Sequence, residues 1–320
     1  MTGIILNNIS DCYIGSNQVS EIWLGQTKIW PNQSHDYSTD YLTFECVLPG
    51  TITWNKTSSA PDRTISYSTD NGSTWTSVTS SENGTLMYYF NNSGDKIIVK
   101  GTNTAYGLYT SNTYNYFGGT AAVQVYGNIM SLIYGDNFIG QTTMNSIGYI
   151  FYSLFREYDG LIEACNLILP STTLVEGCYR LMFYRCSNLY NTPTLPAMTL
   201  ADYCYSRMFA ECPRLVTAPE LPATTLAIDC YFGMFRDCTS LIAAPELSAT
   251  ILINACYQNM FSGCTSLNYV KCYATDISAT DCISSWLNGV SSTGTFYKDS
   301  NTTYPTGTSG IPSGWTVVNI

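Results

Sequence analysis

Charge is scarce in this chain. Only 11% of its 320 residues are Asp, Glu, Lys or Arg, against about 25% in an average globular domain. The 13 cations are outnumbered by 23 carboxylates, which leaves a net charge of −10. A phosphate backbone would be repelled by that balance, so no nucleic-acid partner is expected. Histidine is almost absent as well. His35 stands alone in the polar stretch PNQSHDYSTD, which leaves nothing for histidine-based acid–base or triad chemistry. No apolar run is long enough to cross a bilayer, so no membrane insertion is expected. The opening MTGIILNNISDCYIG lacks the charged region and small-residue cleavage site of a signal peptide, which argues against the usual export route. Clustered Cys and His ligands are also missing, and no metal or other cofactor is expected.

Polarity comes instead from Ser, Thr, Asn and 26 tyrosines. Such a surface suits sugars, water or neighbouring subunits. The 13 cysteines are odd in number, and most keep a fixed register, which fits thiols held in a reducing cytoplasm. That register is the dominant signal. Cys178-Tyr179, Cys204-Tyr205, Cys230-Tyr231 and Cys256-Tyr257 recur at a step of 26 residues, and Cys282 keeps the beat once more. Four residues on come Met182-Phe183, Met208-Phe209, Met234-Phe235 and Met260-Phe261, with Trp286-Leu287 in the last copy. A second cysteine follows at 186, 212, 238 and 264, then a leucine at 189, 215, 241 and 267. A period of this length marks a repeat array.

The chain reads as five parts. Residues 1–32 form a small β unit of short hairpins, with turns at Gly15-Ser16 and Gly25-Gln26. So short a piece cannot bury enough surface to stand alone and should dock onto another body. Ile14, Ile22, Trp23, Leu24 and Trp30 are its candidate docking side chains. Residues 33–40 are a polar linker. Residues 41–127 carry strand-like runs such as YLTFECVL, TISYSTD, LMYYFN and KIIVKG between turn signals, which predicts an Ig-like β-sandwich. Residues 128–290 hold the repeats, opened by a worn copy at Phe151 to Phe155, and residues 291–320 should cap the far end.

Within the sandwich, Ser68-Thr69-Asp70-Asn71-Gly72-Ser73-Thr74-Trp75 matches the Asp-box hairpin that recurs in sialidases and other carbohydrate-acting proteins. Asp70 can bond the amides of its own turn and Gly72 can supply a positive φ, so the motif reads as a folding device.

Within one repeat, Cys178, Met182, Cys186, Tyr179 and Phe183 fall inside about 140° of a helical wheel. That predicts a short amphipathic helix ending near Cys186, followed by an extended stretch from Leu189 to Leu195 in which Pro193 and Pro196 forbid helix. The expected architecture is therefore multidomain: a small β unit, a β-sandwich, and an α/β solenoid with one short strand and one short helix per coil. On that geometry cysteines eight residues apart in the chain would lie roughly 12 Å apart. Equivalent helices would be about 8 to 10 Å apart. Both exceed the reach of about 7 Å for a disulfide, so the cysteines read as small, dry core residues. The outward positions differ from copy to copy. Arg180, Tyr184, Arg185, Arg207, Phe232 and Arg236 make a candidate interaction surface, with Glu157, Glu176, Glu211 and Asp237 available to balance the arginines.

The phrase from Leu200 to Thr225 resembles the BspA-type leucine-rich repeat of gut Bacteroidetes and of the phages that infect them. The likeness covers about residues 128 to 290, with a further echo in the closing SGIPSGWTVV. It implies a leucine-rich-repeat solenoid used in adhesion and protein contact. The opening GSNQVSEIWLGQTKIW is similar to short docking modules at the start of virion structural proteins of crAss-like and related tailed phages. Together the two likenesses imply a head or tail fibre or decoration protein, assembled into virions in the host cytoplasm. Such a protein would meet other virion proteins through residues 1–32 and a host-surface protein or glycan through the repeats, with a homotrimer as one arrangement. The alternative is a Bacteroidetes cell-surface adhesin. A glycan-active enzyme is the weaker third reading, and no catalytic residue is assigned.

Overall fold

The computed structural model describes residues 12–14, 17–19, 22–24, 27–30, 35–108, 113–144 and 147–320. The chain divides into two units, Met1–Tyr37 and Ser38–Ile320. In the first, β1 (Cys12–Ile14) pairs antiparallel with β2 (Asn17–Val19), and β3 (Ile22–Leu24) with β4 (Thr27–Trp30). The turns expected at Gly15-Ser16 and Gly25-Gln26 lie outside the described residues. Ile14, Ile22, Trp23, Leu24 and Trp30 lie on these strands, but their side chains, and with them the docking surface, fall outside what the structure describes.

The second unit opens with β5 (Leu42–Leu48), β6 (Gly50–Lys56), β7 (Thr64–Ser68), β8 (Thr76–Thr79), β9 (Thr85–Phe90), β10 (Lys96–Gly101), β11 (Asn115–Gly119) and β12 (Ala122–Asn128). Alternating apolar residues drive the pairing: in β10, Ile97 and Val99 are buried while Lys96 is exposed and Ile98 and Lys100 are half-buried. One sheet runs β12-β5-β10-β7-β8, and a second runs β11-β6-β9. Phe44 of β5 meets Phe117 of β11 at 4.8 Å between ring centroids, so the sheets face each other across a shared apolar layer. The chain leaves β12 through Gly127 at φ +84°, where a Cβ would run into the backbone of Tyr41. Met130 then leads into α1 (Ser131–Tyr134), the only α-helix among the described residues.

The α/β solenoid expected for the repeats is not what forms. No repeat contains a helix. From Gly177 to Cys186 alternate amides bond three residues back, as in Met182 N–H to Tyr179 C=O at 3.2 Å and Tyr184 N–H to Leu181 C=O at 3.1 Å. The amides between them donate sideways into the next repeat, as in Tyr179 to Cys204, Leu181 to Ser206 and Phe183 to Met208, at 3.0, 3.0 and 2.9 Å. The segment is a ribbon of linked turns, with a left-handed residue at every fourth position: φ is +56° at Gly177, +56° at Leu181 and +60° at Arg185. The same beat runs through 203, 207 and 211, then 229, 233 and 237, and two further copies.

The physical reason lies in the period. Cys-Tyr, Met-Phe and Cys recur every four residues, and on an α-helix a four-residue period drifts by about 40° per step. A turn ribbon of period four keeps each set on one side without drift. Such a ribbon also leaves every second amide free for its neighbour, whereas a helix consumes them all internally. The extended part of each copy is likewise reduced. In the middle repeats it pairs through single parallel bridges, such as Thr217 with Ala243, rather than through a continuous strand. Short parallel strands form at the two ends. At the start β13 (Leu161–Glu163) and β14 (Leu167–Ile168) pair with β12. At the finish β15 (Tyr269–Cys272), β16 (Thr295–Lys298) and β17 (Thr316–Asn319) make a three-stranded sheet.

Direct hydrogen bonding between repeats brings equivalent side chains closer than helices could. Phe155, Phe183, Phe209, Phe235 and Phe261 stack at 5.3, 5.4, 5.8 and 5.7 Å. Phe151, Tyr179, Tyr205, Tyr231 and Tyr257 stack at 5.8, 5.8, 5.9 and 6.1 Å. The distance argument against disulfides between repeats, which assumed helices, therefore does not apply. The cysteines of the two columns are nonetheless free thiols, and nearly all are wholly buried. In the second column each donates to a phenylalanine carbonyl of the preceding repeat: Cys186 to Phe155, Cys212 to Phe183, Cys238 to Phe209 and Cys264 to Phe235, at 3.0, 3.1, 3.1 and 2.9 Å. Burial pushes all of these thiols up from their ordinary value.

Sheet and repeats share one core. Phe117 of β11 stacks on Phe155 at 5.7 Å, and Tyr106 on Phe151 at 6.4 Å, so rings from the sandwich are the first members of both columns. The backbone follows, with Phe117 N–H donating to Leu154 C=O at 2.8 Å and Tyr106 N–H to Ile150 C=O at 2.8 Å. At the far end Trp286 closes the tyrosine column, 6.3 Å from Tyr257 and 6.1 Å from Tyr304.

Candidate ligand-binding face

The outer side of the turn ribbons carries the six side chains singled out from the sequence, and the fold gathers them into one face. Arg185 lies 5.0 Å over the ring of Tyr184. Both reach Glu211, Arg185 Nε donating to Oε2 at 2.6 Å and the Tyr184 hydroxyl to Oε1 at 2.7 Å. Arg207 lies 5.0 Å over Phe232, and Arg236 Nε pairs with Asp237 at 3.0 Å. Arg180 sits between Tyr203 at 5.4 Å and Tyr152 at 6.0 Å. Of the carboxylates expected to balance the arginines, Glu157, Glu211 and Asp237 do so, since Glu157 also meets Arg156 at 3.2 Å and Arg185 at 3.5 Å. Glu176 instead accepts from the Tyr149 hydroxyl at 3.1 Å.

The electrostatics follow from this placement. Burial alone would raise the Glu211 carboxyl, but the bonds from Tyr184 and Arg185 outweigh it and hold the group below its ordinary range. Arg207 goes the other way from a paired arginine: burial, then the nearby charges of Arg236 and Arg180, pull its guanidinium below the ordinary value.

Several members of the face stand outside those six side chains, Arg156 among them as one of the arginines clustered in this region of the sequence. Arg156 lies 4.9 Å over Tyr184 and 5.3 Å over Tyr114. Tyr149, Tyr152, Tyr114 and Leu181 pack together, with Tyr116 and Tyr184 against them. Tyr203 escaped notice because on a helical wheel it falls before the first cysteine. A four-residue period would have placed it in line with Arg207 and Glu211.

The backbone of the face carries a second signal. In the later copies seven of the left-handed slots hold Asp229, Gly233, Asp237, Asn259, Gly263, Asp281 and Gly289, residue types that tolerate this conformation, and the other two hold the small Ala255 and Ser285. In the earlier copies the same slots hold Leu181, Arg185, Tyr203, Arg207 and Glu211. A large side chain there costs on the order of 1–2 kcal/mol, and such strain concentrates where a side chain is needed for function. Guanidinium groups laid flat on aromatic rings keep their in-plane donors available to carboxylates and other planar anions.

Two other features are satisfied internally. Asp70 Oδ1 accepts from Ser68 Oγ at 2.7 Å and Thr74 N–H at 2.9 Å, while Oδ2 accepts from Thr74 Oγ1 at 2.7 Å. The Ser68 bond first, and then the Thr74 bonds, lower its carboxyl to about 2. Beside that hairpin Lys100 Nζ sits 3.8 Å over Trp75 and is ion-paired with Asp136 at 2.7 Å. At the far end a concavity is lined by Lys298, Thr302, Tyr304 and Trp315, but the Lys298 ammonium is turned inward onto the carbonyls of Asp299 and Thr302.

Among the described residues, no group of three or more His, Cys, Asp or Glu is placed to hold a metal ion, and no helix is long and apolar enough to cross a membrane. No family model, curated protein or solved structure matches the chain.

Proposed function

We propose that this chain is a non-catalytic structural protein of a phage virion, a head or tail fibre or decoration component, whose repeats attach to a host-surface protein or glycan. The observation that carries the attachment role is the row of arginines interleaved with aromatic rings along the early repeats, from Arg156 to Arg236. Arginine and tyrosine are the residue types that dominate recognition surfaces. The virion assignment rests on the resemblance of the opening stretch and of the repeat phrase to phage and Bacteroidetes surface proteins. The division of the chain after Tyr37 supports a separate anchoring piece.

The test is deletion of residues 1–32. Purified truncated chain should remain folded and soluble yet be missing from particles, as read by mass spectrometry of purified virions. Truncated chain incorporated at the full copy number would overturn the anchoring role.

A further inference from the structure

We infer that Arg207 is the centre of a binding site for an anionic sugar, a carboxylate or sulfate carried on a carbohydrate chain, flanked by Arg180 and Arg236 and bordered by Tyr203 and Phe232. The inference rests on the attachment role proposed above and gives it a chemistry.

Arg207 and Arg180 differ from the other arginines of the face in making no ion pair among the described residues. Arg156, Arg185 and Arg236 each pair with a carboxylate. Arg180 has the Tyr149 hydroxyl close by, a neutral group that burial and then Glu176 push above its ordinary value. Among the described residues the Nε of Arg207, like that of Arg180, is buried without a hydrogen-bond partner, and Glu211, whose charge reaches Arg207, is already bonded by Arg185 and Tyr184. A half-buried guanidinium left in this state, with two like charges beside it, is destabilising unless something supplies an anion.

The fold also makes room for this arginine at some expense. Arg207 stands at φ +53°, where the equivalent positions in later copies are Gly233, Asn259 and Ser285. Gly233 lies directly alongside, and a Cβ there would come within 3.3 Å of Arg207 Cγ, so the missing side chain is what lets the arginine stem lie flat across the repeats. The Arg207 guanidinium lies 5.0 Å from the centre of the Phe232 ring, and its planar set of N–H donors matches a carboxylate or sulfate.

A sugar fits this surface better than an acidic peptide. The carbonyls of Ser206, Ala210, Phe232 and Gln258 already accept amides from the preceding repeat, at 3.0, 3.0, 2.8 and 2.8 Å. An extended peptide would find no backbone acceptors for its own amides. A pyranose asks only for a fork to hold its acid group and for aromatic border to pack its C–H face.

The experiment uses the full chain and isothermal titration with polygalacturonate, dextran sulfate, methyl-esterified polygalacturonate and polyglutamate. Polygalacturonate, dextran sulfate or both should bind, the methyl ester should not, and binding should weaken with salt. The two charged polymers tell carboxylate from sulfate. Arg207→Gln should lose about tenfold or more in affinity, and Arg207→Lys, which keeps the charge without the fork, should fall between. Near-UV circular dichroism of each variant establishes that the fold is retained. Failure of both charged polysaccharides to bind, unchanged affinity in Arg207→Gln, or a preference for polyglutamate overturns the assignment. Adsorption of labelled protein to Bacteroidetes cells is read in parallel. Adsorption that persists in Arg207→Gln removes this site and leaves the attachment role standing. A wild-type chain that binds polyuronate through Arg207 but no cells keeps the site and removes the attachment role.

Discussion

Replacing Ala255 with glycine decides between a helix and a turn ribbon by the sign of one number. Ala255 sits at φ +51° just ahead of Cys256. Its amide donates to Thr280 C=O at 3.0 Å and its carbonyl accepts from Gln258 N–H at 3.2 Å. Beyond its Cβ it has nothing to lose, so the substitution reads backbone conformation almost alone. In a helix, Ala→Gly costs about 1 kcal/mol. At a left-handed position alanine carries a steric penalty of roughly 1–2 kcal/mol that glycine escapes. The greater chain entropy that glycine loses on folding returns about 0.5–1 kcal/mol of that. The net expectation is a gain of about 0.5–1 kcal/mol, or a rise of about 1–3 °C in melting temperature for a unit of this size. Gly233→Ala should run the other way, because it puts a Cβ at φ +56° and against Arg207, with a loss of about 1–2 kcal/mol. Both are measured by thermal denaturation followed in the near ultraviolet. A lower melting temperature for Ala255→Gly together with a higher one for Gly233→Ala is the helical order, and it would refute the ribbon.

Two further outcomes follow from the same geometry. Phe209→Ala opens a gap in the middle of its column, between rings at 5.4 and 5.8 Å, and should destabilise by about 3–5 kcal/mol in urea titration; a shift in midpoint within error would mean that the column does not bear on stability. The Asp70 carboxyl is depressed to about 2 from 3.8, so its contribution is fully present above the unfolded value and is lost as pH falls through the folded one. Amide exchange of Gly72 and Thr74 should accelerate in that acid window in the native chain and stay flat with pH, after correction for intrinsic rates, in Asp70→Asn.

What the sequence made legible was periodic. The 26-residue step and the buried columns at Cys178, Tyr179, Met182 and Phe183 both follow from residue spacing. The local conformation did not, because a helical wheel accepts any run in which apolar residues recur at three and four. Cys178, Met182 and Cys186 are spaced four and four and never three, and that missing alternation is the signature of a ribbon rather than a helix. A second clue was present in the Gly, Asp and Asn at 229, 233, 237, 259, 263 and 281, residues poorly suited to a helix interior and well suited to positive φ. The arginines were visible as a cluster. Their pairing was not, because whether Arg185 or Arg207 obtains Glu211 depends on which residues face each other across adjacent repeats.

The position of the face follows from how the repeats begin. A repeat of this kind cannot start in water, since its first ribbon would expose a full row of unsatisfied carbonyls and one side of every ring column. The sandwich supplies that missing layer. Phe117 and Tyr106 provide the first rings, their amides bond Leu154 and Ile150, and β12 offers the edge on which β13 and β14 pair. The early repeats thereby have hydrogen-bonded neighbours on both sides, as the middle ones do. It is these repeats that carry large side chains in left-handed slots, and it is here that Tyr114 and Tyr116 from the β11 side pack against Tyr152 and Tyr184. Strained side chains persist where surrounding structure over-determines them. Arg207, at φ +53° in the third ribbon, is held by the bond from Leu181 N–H to Ser206 C=O on one side and by its own amide to Phe232 C=O on the other.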